Sequence, residues 1–237
     1  MAERERTMVS KKALKMEGQG SSQNLRPVTL VKPDADNSIS VMKALKQRKT
    51  IREISEKDLS LQMLSNLLWA ACGVNRKKGP FGISGMTSAS ASNSQEIDLY
   101  VALKEGTYLY DAYTHSLIPV TDKDLRAEAI GKGQVNFGSE APVRLIFVAD
   151  LNRLINTRGY REPGLLDTEI QKSYYYVDTV IIAANVYLFA ASHGLAAWFH
   201  NCNRSALKTK LKLQSNQSIL FGQTVGYPVK KKDKIQK

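Results

Sequence analysis

From Thr179 to Asn203 the chain reads TVIIAANVYLFAASHGLAAWFHNCN, with no formally charged side chain in the whole stretch. An uncharged run of that length is either a membrane span or the innermost element of a folded core. Its polar breaks decide between the two. Asn185, Ser192-His193-Gly194 and Asn201 interrupt it, and a glycine closing an apolar helix is a stop signal. The apolar helix is thus expected to fall short of the roughly 20 residues that a bilayer crossing requires. The sequence predicts a long central helix from about Leu166 to Ser192, buried in the core or against a partner chain, and no membrane association.

Around that helix the patterning alternates between periods. Ser40 caps a helix over VMKALKQR, and Ser55 or Asp58 opens a second with Leu64, Leu67, Leu68 and Ala71 on one face, closed by Gly73. IDLYVAL (97–103), VRLIFVAD (143–150) and SILFGQTVGY (218–227) read as strands, TYLYDA and SLIPV as short extended pieces. Thr121-x-x-Asp124 has the form of a capping box for a helix through Ile130. A short strand follows Gly194, and Arg204 to Leu213 reads as helix. The class is α+β, with long helices over one sheet. At roughly 150 residues per domain, 237 residues without an interior linker suggest one domain over 40–237, preceded by a flexible arm or leader over 1–39. Val28 to Val31, between Pro27 and Pro33, is expected to lie extended against the body or a partner. The Gly/Ser/Lys-rich segment 73–90 is long enough to be a functional loop.

The net charge of +12 comes largely from the ends. Residues 1–46 carry nine Lys/Arg against five Asp/Glu, and residues 230–237 carry five Lys against one Asp. The body between them holds 20 against 16, without the continuous basic stripe that a nucleic-acid backbone demands. No nucleic-acid partner is expected. Cys72 and Cys202, 130 positions apart, form neither a C-x-x-C nor a Cys/His cluster, so no disulfide framework or metal site is expected. No secretory h-region is visible, and a cytoplasmic location is the expectation. There is no G-x-x-x-x-G-K-[ST] and no H-E-x-x-H, and Gly131-Lys132-Gly133 lacks the third glycine of a dinucleotide fingerprint. His115, His193 and His200 read as structural or surface residues.

Three features remain. In Arg48-Lys49-Thr50-Ile51-Arg52, where the chain leaves the first helix, an extended backbone would put Arg48, Thr50 and Arg52 on one face, two guanidinium forks flanking a hydroxyl. That is a receptor for a phosphate monoester, or else a solvated basic helix end. Ser90-Ala91-Ser92-Asn93-Ser94-Gln95 combines small residues with amides that can read a heterocycle edge, or is an ordinary polar loop. Gly194-Leu195-Ala196-Ala197 and Gly226-Tyr227-Pro228, followed by Lys230 and Lys231, are either site-forming turns or a plain helix cap and tail.

Taken in order, these motifs resemble those of the nitroreductase-like flavoproteins, especially the branch related to the thiazole/oxazole-forming dehydrogenases, over residues 40–230. Arg48–Arg52 resembles R-[R/K]-[S/T]-x-R, and Ser90, Ala91, Asn93 and Gln95 resemble S-A-x-N-x-Q. Asp178, Asn185 and Gly194-Leu195 resemble a helix bearing Asn and ending in G-L-G, and Gly226–Pro228 resembles G-Y-P. The resemblance implies a central, mostly antiparallel sheet flanked by helices and an intertwined homodimer with FMN at the subunit interface. It implies hydride transfer from NAD(P)H through the flavin to an electron-poor small molecule, a nitroaromatic or quinone, by a ping-pong mechanism, with no side chain as nucleophile or base. Arg48, Lys49, Thr50 and Arg52, with Lys230 or Lys231, would hold the phosphate. Ser90, Ser92, Asn93 and Gln95 would contact the flavin from the other subunit, and backbone N–H groups near Gly194 and Leu195 would face its N5 side. Tyr174, Tyr175 and Tyr176 are candidates for the pocket wall, or else for the core or the interface. Ala196 replaces the second glycine of G-L-G, Ala184 stands where many relatives have Gln, and the lysine and tyrosine pair of azoline oxidation has no counterpart. A flavin-binding protein without turnover would share these motifs, and a basic nucleic-acid-binding module would rest on the charge alone.

Overall fold

The computed structural model describes residues 25–36, 39–134, 141–157 and 166–230. At its centre is strand β7 (Val143–Asp150), whose sequence VRLIFVAD leaves no room for a solvated face. It pairs antiparallel with β4 (Ile97–Leu103) on one side and β9 (Gln217–Gly226) on the other. Beyond β4 lie β5 (Gly106–Asp111), β6 (Ser116–Thr121) and the two-residue β1 (Val28–Thr29); beyond β9 lies β8 (Ala196–His200). The result is a seven-stranded antiparallel sheet, order β1-β6-β5-β4-β7-β9-β8.

Period-2 alternation sorts this sheet into two cores. Val143, Leu145, Phe147 and Ala149, with Leu99 and Val101, face helices α2 (Leu61–Cys72) and α4 (Thr168–Ser192). Those helices answer with Leu64, Leu67, Leu68 and Ala71 and with Ile182, Ala183, Val186 and Ala190, the i, i+3, i+4 spacing of a helix face. On the opposite face Tyr100, Ala102, Ile146 and Val148 meet Leu125, Ala129 and Leu207. Leu207 comes from the short helix α5 (Arg204–Lys210), while helices α1 (Val41–Gln47) and α3 (Leu151–Ile155) both pack against α4.

Several expectations hold in detail. Ser40 accepts the Lys43 N–H as the N-cap of α1, and β4 and β7 have the bounds read from sequence. The Val28–Val31 stretch lies against the body: β1 pairs with β6 and Leu30 is in the core. Others need correction. Helix α2 starts after Ser60, because residues 53–55 are held extended by the tail that follows β9: Ser55 N–H donates to Tyr227 and Val229 N–H to Glu53. No regular helix runs from Thr121 to Ile130. Thr121 is still paired with Thr107 in the sheet, and the Asp124 carboxylate that should close the capping box is gripped by Arg126 at 2.8–3.1 Å. Arg126 in turn donates to Ala141, and its own carbonyl receives the buried Arg144 guanidinium. Segment 73–90 contains a small ribbon, β2 (Val74–Arg76) with β3 (Gly85–Met86).

Helix α4 also departs from its expected length. It is 25 residues long, enough by length and apolar composition to cross a membrane, rather than falling short. It is buried along one face only: Tyr175, Thr179, Ile182, Val186 and Ala190 are covered, whereas Ile170, Val177 and Val180 are exposed. An apolar helix half covered by its own sheet presents its other side to something else.

Candidate functional site

The basic segment Arg48–Arg52 is fixed along the open edge of the sheet. Arg48 ends α1 in an extended conformation, its N–H still donating to Ala44. Three residues on, Ile51 N–H donates to the Ala197 carbonyl of β8 at 3.1 Å, and Ile54 bridges to Pro228. Gly226 makes this crossing possible, since a Cβ there would lie 2.7 Å from Ile54 Cγ2 and 2.9 Å from Pro142 Cδ. The segment is thereby clamped between β8 and the Gly226-Tyr227-Pro228 turn, which leads directly to Lys230. Lys231 lies outside the described residues.

The expected common face of Arg48, Thr50 and Arg52 is divided. Arg48 lies over the Tyr187 ring of α4 at 5.6 Å, and Thr50 Oγ1 is 3.1 Å from the Tyr187 hydroxyl, which also accepts the Phe199 N–H at 2.8 Å. Arg52 instead stacks over Trp198 at 5.4 Å. Trp198 shares the side of β8 with His200, which bonds Thr224, whereas Phe199 belongs to the core under α4. A flanking aromatic on each side of a strand edge therefore turns the two arginines apart. Arg48, Lys49, Thr50, Arg52 and Lys230 are all exposed, and among the described residues no carboxylate pairs with any of the four cations. Cations left free of counter-charge beside a hydroxyl are the donor set that a phosphate monoester uses.

Gly194 closes α4 in the left-handed region (φ 66°), and the Leu195 N–H donates to Ala190 at 2.8 Å, so that N–H serves the helix end. Ala196, the departure from G-L-G, sits in β8 without positive φ. Its methyl packs against Ile54 and Ala141, so the extra carbon is absorbed in a small apolar cluster. Asn185 donates to the carbonyls of Ala71 and Thr87 at 3.3 Å, tying α4 to the end of α2. Tyr175 is buried in the core, while Tyr176 is exposed and packs on Phe221.

Ser90–Gln95 lies elsewhere. It contacts α4 at Asp178, nine positions before Tyr187 and so about 14 Å away along the helix axis. Within one chain the structure does not bring this loop to Arg48–Arg52. Its amides are occupied locally: Asn93 Nδ2 reaches Ser84 O at 3.3 Å, Gln95 Nε2 donates to Ser84 O at 2.6 Å, and Tyr113 donates to Gln95 Oε1 at 2.6 Å. Ser92, Asn93 and Gln95 all have positive φ. Two site residues carry no signal in the sequence. Tyr187 is one aromatic in an apolar helix, with nothing local to set it apart, and Glu96 follows the loop as an ordinary carboxylate.

Comparison with known proteins agrees with this architecture. Residues 45–227 match the profile of the Nitroreductase family. A curated protein of Methanocaldococcus jannaschii, assigned to the nitroreductases, is 30% identical over 190 residues, covering 75% of this chain and 88% of its own. A crystal structure of a Ralstonia eutropha protein with the same assignment superposes with a TM-score of 0.74 at 31% identity, over 90% of this chain and 94% of that one. The NADPH:FMN oxidoreductase of Vibrio harveyi, solved with NAD+, shares the fold at 18% identity with a TM-score of 0.55, over 80% of this chain and 69% of its own. The antiparallel sheet, its flanking helices and the span of the match together place the chain in the nitroreductase family.

Proposed function

We propose that the protein is an FMN-dependent oxidoreductase acting as a homodimer, with NAD(P)H as donor and a nitroaromatic or quinone-type small molecule as acceptor in a ping-pong cycle. The observation that carries this is the exposed set Arg48, Lys49, Thr50, Arg52 and Lys230, free of carboxylate partners among the described residues and held by backbone bonds beside the turn that ends α4. Its chemistry fits the phosphate of FMN. FMN, held by these residues, would supply the two-electron redox chemistry between donor and acceptor. The protein's own residues bind and orient. Arg48 and Thr50, positioned through Tyr187, receive the phosphate; Lys49 and Lys230 add charge, with Lys231 continuing the same tail. Arg52, on its separate face over Trp198, is assigned to the ring of the flavin, where a cation stabilises developing negative charge. The turn at Gly194 and Leu195 brings α4 onto β8 and shapes the wall beside the flavin.

The distance between the Ser90–Gln95 loop and Arg48–Arg52 supports a site completed by two chains, with Ser90, Ser92, Asn93 and Gln95 arriving from the partner. The exposed apolar residues Val41, Met42 and Leu45 on α1 and Val177 and Val180 on α4 suit the burial that such a dimer requires. Sedimentation equilibrium is expected to give about twice the chain mass of 26.4 kDa, and a mass equal to one chain at micromolar concentration would remove the two-chain site. The function itself is tested by the visible spectrum of the purified protein and chromatography of what heat releases. FMN release, followed by bleaching of the bound flavin with NADH or NADPH, is the expected result. A colourless protein that takes up no added FMN would overturn it, and a flavoprotein that neither nucleotide reduces would be a binder without turnover.

A further inference from the structure

Beneath the Ser90–Gln95 loop lies a pair of carboxyls that neither phosphate binding nor core packing accounts for. Glu96 and Asp178 are 0% and 4% exposed. Asp178 Oδ2 accepts the Ala91 N–H at 2.8 Å, and Glu96 Oε2 accepts the Ser94 hydroxyl at 2.5 Å, so the pair holds the loop at two points. Glu96 Oε1 has no hydrogen-bond partner among the described residues, and the two carboxyls line the same small closed space. Two carboxyls confined in one closed space avoid meeting as like charges only when one of them keeps a proton.

The loop needs holding. Ser92 (φ 48°), Asn93 (φ 56°) and Gln95 (φ 51°) occupy the left-handed region, a strain that the surroundings must overcome. From above, Ser84 and Tyr113 bind its amides; from below, the carboxyl pair reaches Ala91 and Ser94. The charged group facing the pair from α3 is Arg153, whose Nη2 donates to the Glu96 carbonyl at 3.1 Å, and it is already engaged by Asp98 at 2.5 Å and Asp150 at 3.5 Å. Cys72 of α2 lines the same small space as a neutral thiol, its pKa pushed up to about 12 by burial and by the nearby Asp98 charge.

We propose that the Glu96–Asp178 pair is a proton-held latch on the Ser90–Gln95 loop: with one proton shared it fixes Ala91 and Ser94, and when that proton leaves, two like charges in a closed space release the loop and weaken FMN binding. The last step rests on the flavin reading above. Burial, and after it the Glu96 carboxyl, raises Asp178 from the ordinary carboxylate value to about 7, so the latch acts near neutral pH. The sign is that of a raised carboxyl: the stabilisation is complete below the ordinary carboxylate range and is lost as pH rises through about 7.

The test compares wild type with Glu96→Gln, whose amide donates permanently to Asp178 and still accepts from Ser94. Amide exchange of the peptide covering residues 88–97, corrected for intrinsic rates, and FMN affinity by fluorescence are read at about pH 6 and about pH 8.5. In wild type, loop protection and FMN affinity are each expected to fall about tenfold across that interval, one released proton permitting at most tenfold per pH unit. In Glu96→Gln both stay flat. Equal pH dependence in the variant and wild type, or none in wild type, overturns the latch. Exchange that responds while FMN affinity does not overturns its link to the flavin. Infrared spectroscopy of wild type supplies a measurement that needs no variant: a protonated-carboxyl band present at about pH 6 and lost by about pH 8.5 is expected, and its absence at the lower pH overturns the proposal. If no FMN binds at either pH the flavin reading falls, and the exchange and infrared results still decide the latch.

Discussion

Replacing Phe147 with alanine is expected to destabilise the protein by about 3–5 kcal/mol, about a fifth or more of the whole stability of a typical domain. The size follows from position. Phe147 is 0% exposed at the middle of β7, opposite Leu99 of β4, with the Phe199 ring 5.9 Å away and both large helices above it. Truncation removes the apolar surface and leaves a cavity that rigid strands on both sides cannot collapse into. Urea unfolding at fixed protein concentration and saturating FMN checks it, because dimer formation and ligand both shift the midpoint. A midpoint change equivalent to less than about 1 kcal/mol with unchanged slope would show that the two-helix layer is not the principal core. Should the alanine variant not accumulate, Phe147→Leu is expected to show a smaller loss in the same direction.

Phe147 also belongs to the part of the fold that is legible in the amino-acid sequence alone. A buried strand such as VRLIFVAD announces itself locally through its unbroken apolar run, and so do β4 and the Ser40 cap, because each depends on residues within a few positions. The helix expected over 121–130 depends on the same kind of local signal and loses to a competing neighbour and to groups from outside the segment. Arg126 takes Asp124, and Arg144, arriving from the central strand, takes the carbonyl of Arg126. Likewise the start of α2 slips to Ser60 because the chain's far end pairs with residues 53–55. The site shows the same division. RKTIR and SASNSQ are visible as donor sets, but their orientation is not: Tyr187 and Trp198 pull Arg48 and Arg52 apart from 139 and 146 positions away. Nor does any spacing pair Glu96 with Asp178 across 82 positions. The loop amides have a role the composition conceals, since Asn93 and Gln95 are first of all the internal braces of a strained turn.

That division makes Arg48→Ala the sharpest test of the proposed phosphate site, with an expected loss of FMN affinity of about 10- to 150-fold. The range is the about 1.5–3 kcal/mol of a charge-assisted hydrogen bond, at 1.4 kcal/mol per tenfold. Arg48 follows α1 and lies over the Tyr187 ring, and Thr50 meets the hydroxyl of the same tyrosine, so both side chains are placed by one residue. Arg48→Lys keeps the charge but not the planar fork and is expected to recover only part of the loss. Tyr187→Phe removes the hydroxyl that both Thr50 and the Phe199 N–H use; a smaller loss, of about tenfold or less, is expected because positioning is affected while the charge remains. Arg52→Ala separates the faces. If the phosphate sits with Arg48 and Thr50, removal of the cation over Trp198 alters the spectrum or potential of the bound flavin more than its retention. Fluorescence titration of the apoprotein at two ionic strengths checks the set, because a phosphate held by exposed cations loses affinity as salt rises. Wild-type FMN retention in Arg48→Ala would dismiss its assigned role and move the phosphate to the Arg52 side of the strand.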